Sequence, residues 1–282
     1  MKLNELVLCG ADNDYTKKLK RVSTETIRSA LTEKYMSGAD MKAVLCLLST
    51  AVMASCTKRS EDGIYMVGEG VNKWIKGMKR MKVKSVEGFV YVTDLFAKNI
   101  EVITKVPQEA SSGSNTDSVR EYFLGIMAIN GLRYTIPTFV YTLGAFVCGQ
   151  PIQRSDGSVM QLCKRKSPES MFVVYEKIDG GSVHQALKSG WDFPRWLRFL
   201  AQLLLGLEVA QREIRFTHFD IHDSNVMVRR NNESYSVHLD GTTYTVGADQ
   251  ESPVVIDFGM SSAFVDGKCI GSYGYAGHGM LS

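Results

Sequence analysis

The 282-residue chain lacks the features that mark zinc proteins, secreted proteins and membrane proteins. Its six cysteines are scattered without a C-x-x-C pair, so they fit no zinc spacing and predict reduced thiols in a cytosolic-type compartment. The N-terminus turns polar too soon for a secretory signal, and the longest uncharged run, 43–57, is too short to span a bilayer. A net charge of +3 is too small to indicate nucleic acid or a membrane surface as the main partner. These absences predict a soluble globular protein.

What is present divides the chain into three regions. Residues 1–80 carry apolar residues at three-to-four spacing and predict a helical N-terminal extension. Residues 81–178 predict strands and one helix over 118–132. Residues 179–282 predict helices followed by short strands, and the longest helix, 193–214, is apolar on more than one face.

Turn residues place the boundaries of the predicted strands. Within 81–106, turns near Glu87-Gly88 and Ala97–Asn99 separate three short strands. Further along, Asp240-Gly241 stands between two alternating segments. It predicts a tight hairpin, because Asp and Gly accept the positive φ angles of a primed turn.

The stretch THFDIHDSNVMV, residues 217–228, concentrates groups that bind protons and metals ahead of an apolar run. It fits the pattern H-x-D-x-x-x-x-N with His218, Asp220 and Asn225, and a D-F-G follows downstream at Asp257. Either pattern alone is weak, because a lone Asp is usually a turn former and a lone D-F-G is most often a turn. In this order, after a long helix and each beside a strand, the two patterns resemble the catalytic loop and metal-binding turn of the protein-kinase-like family.

This resemblance, which covers roughly residues 81–260, implies an α+β bilobal fold with an antiparallel sheet in the N-lobe and a helical C-lobe. It also implies ATP and Mg²⁺, because phosphoryl transfer depends on positioning and on charge neutralisation. Asp220 would accept the proton of the substrate hydroxyl, while Asn225 and Asp257 would offer oxygen atoms to Mg²⁺. His218 would buttress the loop rather than transfer protons.

Two further charges stand where the family has them. Lys105, in the apolar strand EVITKVP, occupies the place of the phosphate-contacting lysine. Glu121 lies in the first turn of the predicted helix, and it would hold the ammonium of Lys105 towards the phosphates. Two solvated surface charges are the alternative interpretation.

The segment FVVYEKIDGGSVHQAL resembles the hinge of the family. Its apolar strand leads through a short Gly-Gly linker into a helix. The backbone of Glu176 and Ile178 would read the adenine, with Tyr175 at the gatekeeper position. An ordinary strand-to-helix connection is the alternative.

The chain departs from the family pattern in three places. Gly88 is the only glycine near the tip of the nucleotide-covering loop, so few backbone N–H groups could approach the phosphates. His222 stands where serine/threonine kinases have lysine, and H-x-D-x-H resembles haspin-type kinases and aminoglycoside phosphotransferases. It would contact the transferring phosphate or hydrogen-bond within the loop. Because only 23 residues follow Gly259, the C-lobe looks truncated: either the chain is a fragment, or the N-terminal helices complete a minimal fold.

Residues 121–146, with E-Y-F-x-G, N-x-L-R and I-P-x-F-V-Y, resemble the serine/threonine kinases of large nucleocytoplasmic DNA viruses. This resemblance implies transfer of the ATP γ-phosphate to hydroxyls of a viral or host protein, in the cytoplasm of an infected cell or in the virion. The alternatives are a small-molecule kinase, suggested by His222, and a pseudokinase or scaffold, suggested by the sparse glycines. The sequence indicates no nucleic-acid or membrane partner and leaves the oligomeric state open.

Overall fold

The structure is a computed structural model with an α+β architecture. It describes residues 57–59, 65–67, 75–81, 88–95, 100–107, 112–133, 135–147, 152–153, 159–160, 171–231, 234–248 and 250–271. Statements about structure below refer to these residues.

A five-stranded antiparallel sheet dominates the first half of the described chain. Its strands are β3 (Ile75–Arg80), β4 (Gly88–Leu95), β5 (Ile100–Pro107), β6 (Thr142–Val147) and β9 (Met171–Glu176). They lie in the order β3, β4, β5, β9, β6. Apolar and β-branched residues fill β5 and β9, as expected for strands in the middle of a sheet.

Strands also occupy a stretch in which the sequence predicted helices. β1 (Thr57–Arg59) pairs with β2 (Tyr65–Val67), and β3 belongs to the sheet although it precedes residue 81. Short strands with Lys and Gly carry little apolar periodicity, so the pattern over 1–80 did not reveal them. The helices predicted over residues 1–56 lie outside the described residues. β7 (Ile152–Gln153) and β8 (Val159–Met160) form a further small pair.

One helical segment packs on the sheet. It runs as α1 (Ser112–Leu124), a π-helical stretch (Gly125–Ile129) and α2 (Asn130–Leu132). The helix predicted over 118–132 is therefore confirmed, although it begins six residues earlier. At Gly125 an added Cβ would lie 2.1 Å from the Thr142 hydroxyl oxygen, so glycine permits this close contact between helix and sheet.

The second half begins with two capped helices. In α3 (Val183–Lys188), Ser182 and Gln185 form a capping box, which satisfies free N–H groups at the helix start. In α4 (Phe193–Ile214), the Asp192 side chain accepts a hydrogen bond from the Arg195 N–H. The helix predicted over 193–214 is confirmed at both ends.

The two apolar faces predicted for α4 have different environments. One face, with Phe199, Val209 and Ala210, is buried in the core. The other bears a stripe of exposed apolar side chains, namely Phe193, Leu197, Leu200 and Leu204. No helix of the described residues is both long and apolar enough to cross a bilayer.

Short antiparallel pairs follow α4. These are β10 (Val226–Arg230) with β13 (Glu251–Val255), β11 (Tyr235–Leu239) with β12 (Thr242–Val246), and β14 (Ser262–Val265) with β15 (Lys268–Gly271). The predicted hairpin at Asp240-Gly241 is confirmed, because both residues have positive φ, 50° and 74°. The pairing of β10 with β13 places the catalytic-loop motif and the D-F-G at neighbouring strand ends.

Candidate active site

Three charged side chains far apart in sequence meet in the cleft between the sheet and the β10–β13 pair. The Lys105 ammonium lies 2.9 Å from the Glu121 carboxylate and 2.6 Å from the Asp257 carboxylate. Lys105 comes from the middle of β5, Glu121 from α1 and Asp257 from the turn after β13. The predicted pairing of Lys105 with Glu121 is present in the structure, and the two residues are not solvated surface charges.

The cleft alters the proton affinities of these groups. Burial alone would lower the pKa of Lys105, but the attraction of Glu121 and Asp257 outweighs it, and the pKa lies above its ordinary value. Burial would raise the pKa of Asp257, yet the nearby Lys105 ammonium holds it below its ordinary value. Lys105 is thus a fixed cation and Asp257 a fixed anion at neutral pH.

The catalytic loop holds Asp220 in place through Asn225. The Asn225 amide donates to the Asp220 backbone oxygen at 3.0 Å and to its carboxylate at 3.2 Å. Asn225 is buried, whereas the Asp220 side chain is 48% exposed. The loop therefore presents a carboxylate that is both anchored and accessible to a substrate.

His218 connects the catalytic loop to the D-F-G turn. Its Nδ1 accepts the Asp220 N–H at 3.3 Å, and its Nε2 lies 3.0 Å from the Ile256 carbonyl. An imidazole that accepts at Nδ1 and donates at Nε2 is neutral, and burial lowers the pKa of His218 in agreement with this. This geometry matches the predicted buttressing position. Phe258 packs edge-on against His218 at 6.2 Å and is fully buried.

Left-handed backbone occurs on both sides of the cleft. Phe219, just before Asp220, has φ 63°, and Asp257 has φ 67°. Non-glycine residues rarely adopt this region, and such strain concentrates at functional sites. The two strained positions thus lie at Asp257 and directly before Asp220.

His222 hydrogen-bonds within its own loop. Its Nδ1 accepts the Ser224 N–H at 3.2 Å, and its Nε2 lies 3.7 Å from the Asp220 carboxylate. Of the two roles open for His222, this arrangement fits hydrogen bonding within the loop. The imidazole also stands close enough to Asp220 to influence its orientation.

The predicted hinge residues follow the last strand of the sheet. Glu176 ends β9, and its N–H donates to the Tyr141 carbonyl. Ile178 is half-buried and packs on the main core. Tyr175 is buried beside Glu121, and burial together with that carboxylate raises the pKa of its hydroxyl well above the usual range.

Gly88 lies at the start of β4, where it pairs with Pro107. The sequence predicted that Gly88 would form part of a turn between two strands, and the structure instead makes it the first residue of a strand. The residues before it, 82–87, lie outside the described residues.

The donors available for Mg²⁺ are oxygen atoms. Asp257 offers a carboxylate, and Asn225 an amide oxygen at the adjoining strand end, where the Ile256 N–H donates to the Asn225 carbonyl. The described residues contain no group of three His, Cys, Asp or Glu side chains that could enclose a metal. One carboxylate and one neutral oxygen fit Mg²⁺, which keeps water and phosphate oxygens as its other ligands.

Sequence reasoning missed a second set of charges behind the hinge. The Glu176 carboxylate accepts from two nitrogens of Arg133, at 2.8 and 3.0 Å, and lies 2.8 Å from Arg229. We call Arg133, Glu176 and Arg229 the buried charge cluster, because none of them is more than 5% exposed. The sequence signals for this cluster were Arg133, which ends the N-x-L-R segment, and the charged residues Glu176 and Arg229 in two mainly apolar strands.

Three comparisons with known proteins show what this chain is similar to. No family model matches the chain. Probable kinase 098L of Invertebrate iridescent virus 3 is 31% identical over 205 residues, which are 71% of this chain and 34% of that protein. The chain therefore spans about a third of the length of this curated relative. A solved kinase domain aligns with a TM-score of 0.46 and 14% identity, over 69% of this chain and 53% of that domain.

The sequence similarity confirms the predicted resemblance to viral kinases. The chain has an α+β, kinase-like fold, in which a strand-borne lysine, a helix-borne glutamate and the D-F-G aspartate converge.

Proposed function

We infer that this chain is the catalytic part of an ATP- and Mg²⁺-dependent phosphotransferase that acts on serine and threonine hydroxyls of proteins. The observation that carries the proposal is the convergence of Lys105, Glu121 and Asp257. Along the chain, Glu121 is 16 positions and Asp257 is 152 positions from Lys105. A scaffold does not require a buried lysine held between two carboxylates beside an accessible aspartate.

Asp220 supplies the base of the proposed reaction. The substrate hydroxyl attacks the γ-phosphorus, the bond from that phosphorus to the bridging oxygen breaks, and nucleoside diphosphate leaves. Asp220 takes the hydroxyl proton, and the Asn225 amide keeps its carboxylate aimed at the attacking oxygen. Because the Asp220 side chain is half-exposed, a hydroxyl on another molecule can reach it.

Lys105 supplies fixed positive charge for the phosphates. Glu121 is almost fully buried and holds the ammonium from the helix side. Preorganised charge of this kind stabilises a phosphoryl-transfer transition state without reorganisation during the reaction. Mg²⁺ held by Asp257 and Asn225 would neutralise further phosphate charge.

The similarity to a probable viral kinase over 205 residues supports kinase activity. The protein acceptor rests on the resemblance of residues 121–146 to viral serine/threonine kinases. Two other classes of protein predict different results for phosphate transfer and for thermal stabilisation by ATP. A small-molecule phosphotransferase would bind Mg-nucleotide but label no protein. A scaffold would show no increase in melting temperature with ATP, with or without Mg²⁺.

The test is transfer of labelled γ-phosphate from ATP to a generic protein mixture, followed by identification of the labelled amino acids. We expect Mg²⁺-dependent labelling of serine and threonine. Asp220→Asn should lower the rate about 10²–10⁴-fold, because that is the usual contribution of a general base.

Asp240→Asn is the matched control, because it makes the same change in an exposed hairpin turn where Asn is equally suitable. It should leave the rate unchanged. Equal labelling by Asp220→Asn and the unchanged chain would remove Asp220 as the base. Labelling confined to small molecules would replace the protein acceptor.

A further inference from the structure

The buried charge cluster joins three parts of the chain at one point. Glu176 accepts two hydrogen bonds from Arg133, one from the Tyr141 N–H at 2.8 Å, and a close contact from Arg229. The side chains of Glu176 and Arg133 are 0% and 1% exposed, and that of Arg229 is 5% exposed. An ion cluster so far from water needs complete geometry to be tolerated at all.

Each member of the cluster lies in or next to an element that adjoins part of the cleft. Arg133 follows the helical segment that bears Glu121. Glu176 immediately precedes the hinge linker, residues 177–181. Arg229 lies on β10, which begins directly after Asn225. A displacement in the cluster would therefore move groups on three sides of the cleft.

The hinge linker has a second anchor on the same strand. The Val228 N–H donates to the Gly181 carbonyl at 2.8 Å. A Cβ on Gly180 would lie only 2.0 Å from the Val228 carbonyl oxygen, which is a backbone atom and cannot rotate away. Val228 thus holds the C-terminal end of the linker at Gly181. Arg229 holds its N-terminal end through Glu176, the residue before it.

We propose that Arg229, through Glu176, is a positioning residue that fixes the hinge linker against β10 and so sets where the nucleotide lies relative to the catalytic loop. This inference rests on the proposed function, because the linker is where the nucleotide base would be read. Neither Glu176 nor Arg229 needs to touch the nucleotide through its side chain. Their contribution is the placement of the backbone around Ile178.

The informative change is Arg229→Met, which removes one guanidinium and keeps the Arg133–Glu176 pair with its two hydrogen bonds. The matched control is Arg230→Met, the same change at the next residue, which is exposed. The measurements are the Kd of Mg-ATP for the 282-residue chain, and KM and kcat in the phosphate-transfer assay.

We expect Arg229→Met to raise Kd and the KM for ATP about tenfold and to lower kcat as well, because a misplacement of about 1 Å can cost roughly 10²-fold in rate. Arg230→Met should match the unchanged chain. Arg229→Lys keeps the charge without the planar guanidinium group. Its Kd should lie between that of the unchanged chain and that of Arg229→Met. If Arg229→Met does not fold, the Kd of Arg229→Lys decides the question.

A lower melting temperature with unchanged Kd and KM would overturn the inference, since the cluster would then serve stability alone. Failure of the proposed function gives a different result: the unchanged chain itself would not bind Mg-ATP. Binding by the unchanged chain with the same Kd in Arg229→Met refutes only the positioning role.

Discussion

Among the described residues, the buried charge cluster and the charged residues of the cleft differ in access to water. In the buried charge cluster, one carboxylate is surrounded by two guanidinium groups and a backbone N–H. In the cleft, Lys105 is shared between two carboxylates, and Asp257 and Asp220 remain 23% and 48% exposed. The Glu176 carboxylate is engaged by protein groups, whereas the cleft keeps carboxylate oxygens within reach of solvent.

This difference separates residues that hold the fold from residues that can hold a ligand. Buried charges are tolerated only when the protein completes their interactions, so a buried cluster has no capacity left for a substrate. Half-exposed charges contribute little to stability, so stability does not explain their presence in a strained loop. Strain of this kind is typical of functional sites. We therefore expect loss of the Glu176 carboxylate to act mainly on stability and loss of the half-exposed Asp220 carboxylate to act mainly on chemistry.

The largest expected effect on stability is that of Glu176→Ala. It leaves two buried guanidinium groups without their shared carboxylate, and removal of one partner from a buried charge cluster costs about 3–5 kcal/mol. The free energy of unfolding from urea denaturation measures this loss. Asp220→Asn, in the half-exposed cluster, should change it by less than about 0.5 kcal/mol. Similar losses from both changes would abolish the distinction drawn between the clusters.

The cleft cluster was predictable from sequence, because the residues around phosphoryl transfer have a fixed order and spacing. Asp220 and Asn225 are five residues apart in one loop, and Asp257 follows in a D-F-G. Lys105 and Glu121 could be identified once the strand and the helix that carry them had been predicted. The structure brings Lys105 to Glu121 and Asp257 as that order predicts, while the catalytic roles themselves stay predictions.

The buried charge cluster was not predictable in the same way. Its members are 43 and 53 positions apart along the chain, and no local spacing links them. Glu176 was identified only through its backbone, as a hinge residue. Arg229 and Arg230 are adjacent on β10, and only the pairing of that strand decides which is buried. Partners of buried charges are set by tertiary convergence, which a single sequence does not encode locally.

A smaller effect is expected from Lys105→Met. This change removes the cation beside the buried Glu121 carboxylate, as Glu176→Ala removes the anion from the buried charge cluster. Glu121 is 1% exposed, and burial raises the pKa of its carboxyl while Lys105 opposes that rise. Without Lys105 the folded protein should lose about 1–3 kcal/mol at pH 7.5, because a buried charge is left unpaired.

The pH dependence of this loss has a definite sign. With the pKa of Glu121 raised above its unfolded value, the folded state binds a proton that the unfolded state does not, so stability rises as pH falls. Urea denaturation at pH 7.5 and 5.5 should show a smaller deficit at the lower pH. Lys177→Met, in a pair of half-exposed bridges to Glu101 and Asp179, is the control. It should lose under about 1 kcal/mol at either pH. An equal deficit for Lys105→Met at both values would mean that Glu121 does not take up the proton.

The smallest expected effect concerns His218, the buried group that joins the catalytic loop to the D-F-G turn. Burial lowers its pKa, opposed by the Ile256 carbonyl and by Asp257 and Asp220, while His222 adds to the lowering. Below about pH 6.5 the unfolded chain therefore binds a proton at this histidine that the folded chain does not, and stability falls with pH. His218→Gln, which cannot titrate, should show a shallower fall between pH 7.5 and 5.5 in urea denaturation. The Asp257 carboxyl, whose pKa is lowered, loses its contribution only at more acidic pH. Both proteins keep Glu121, so the difference between their two pH profiles reports the imidazole. If the two pH profiles are parallel, folding does not lower the pKa of His218, and the neutral imidazole that accepts the Asp220 N–H would be lost on acidification as readily as in the unfolded chain.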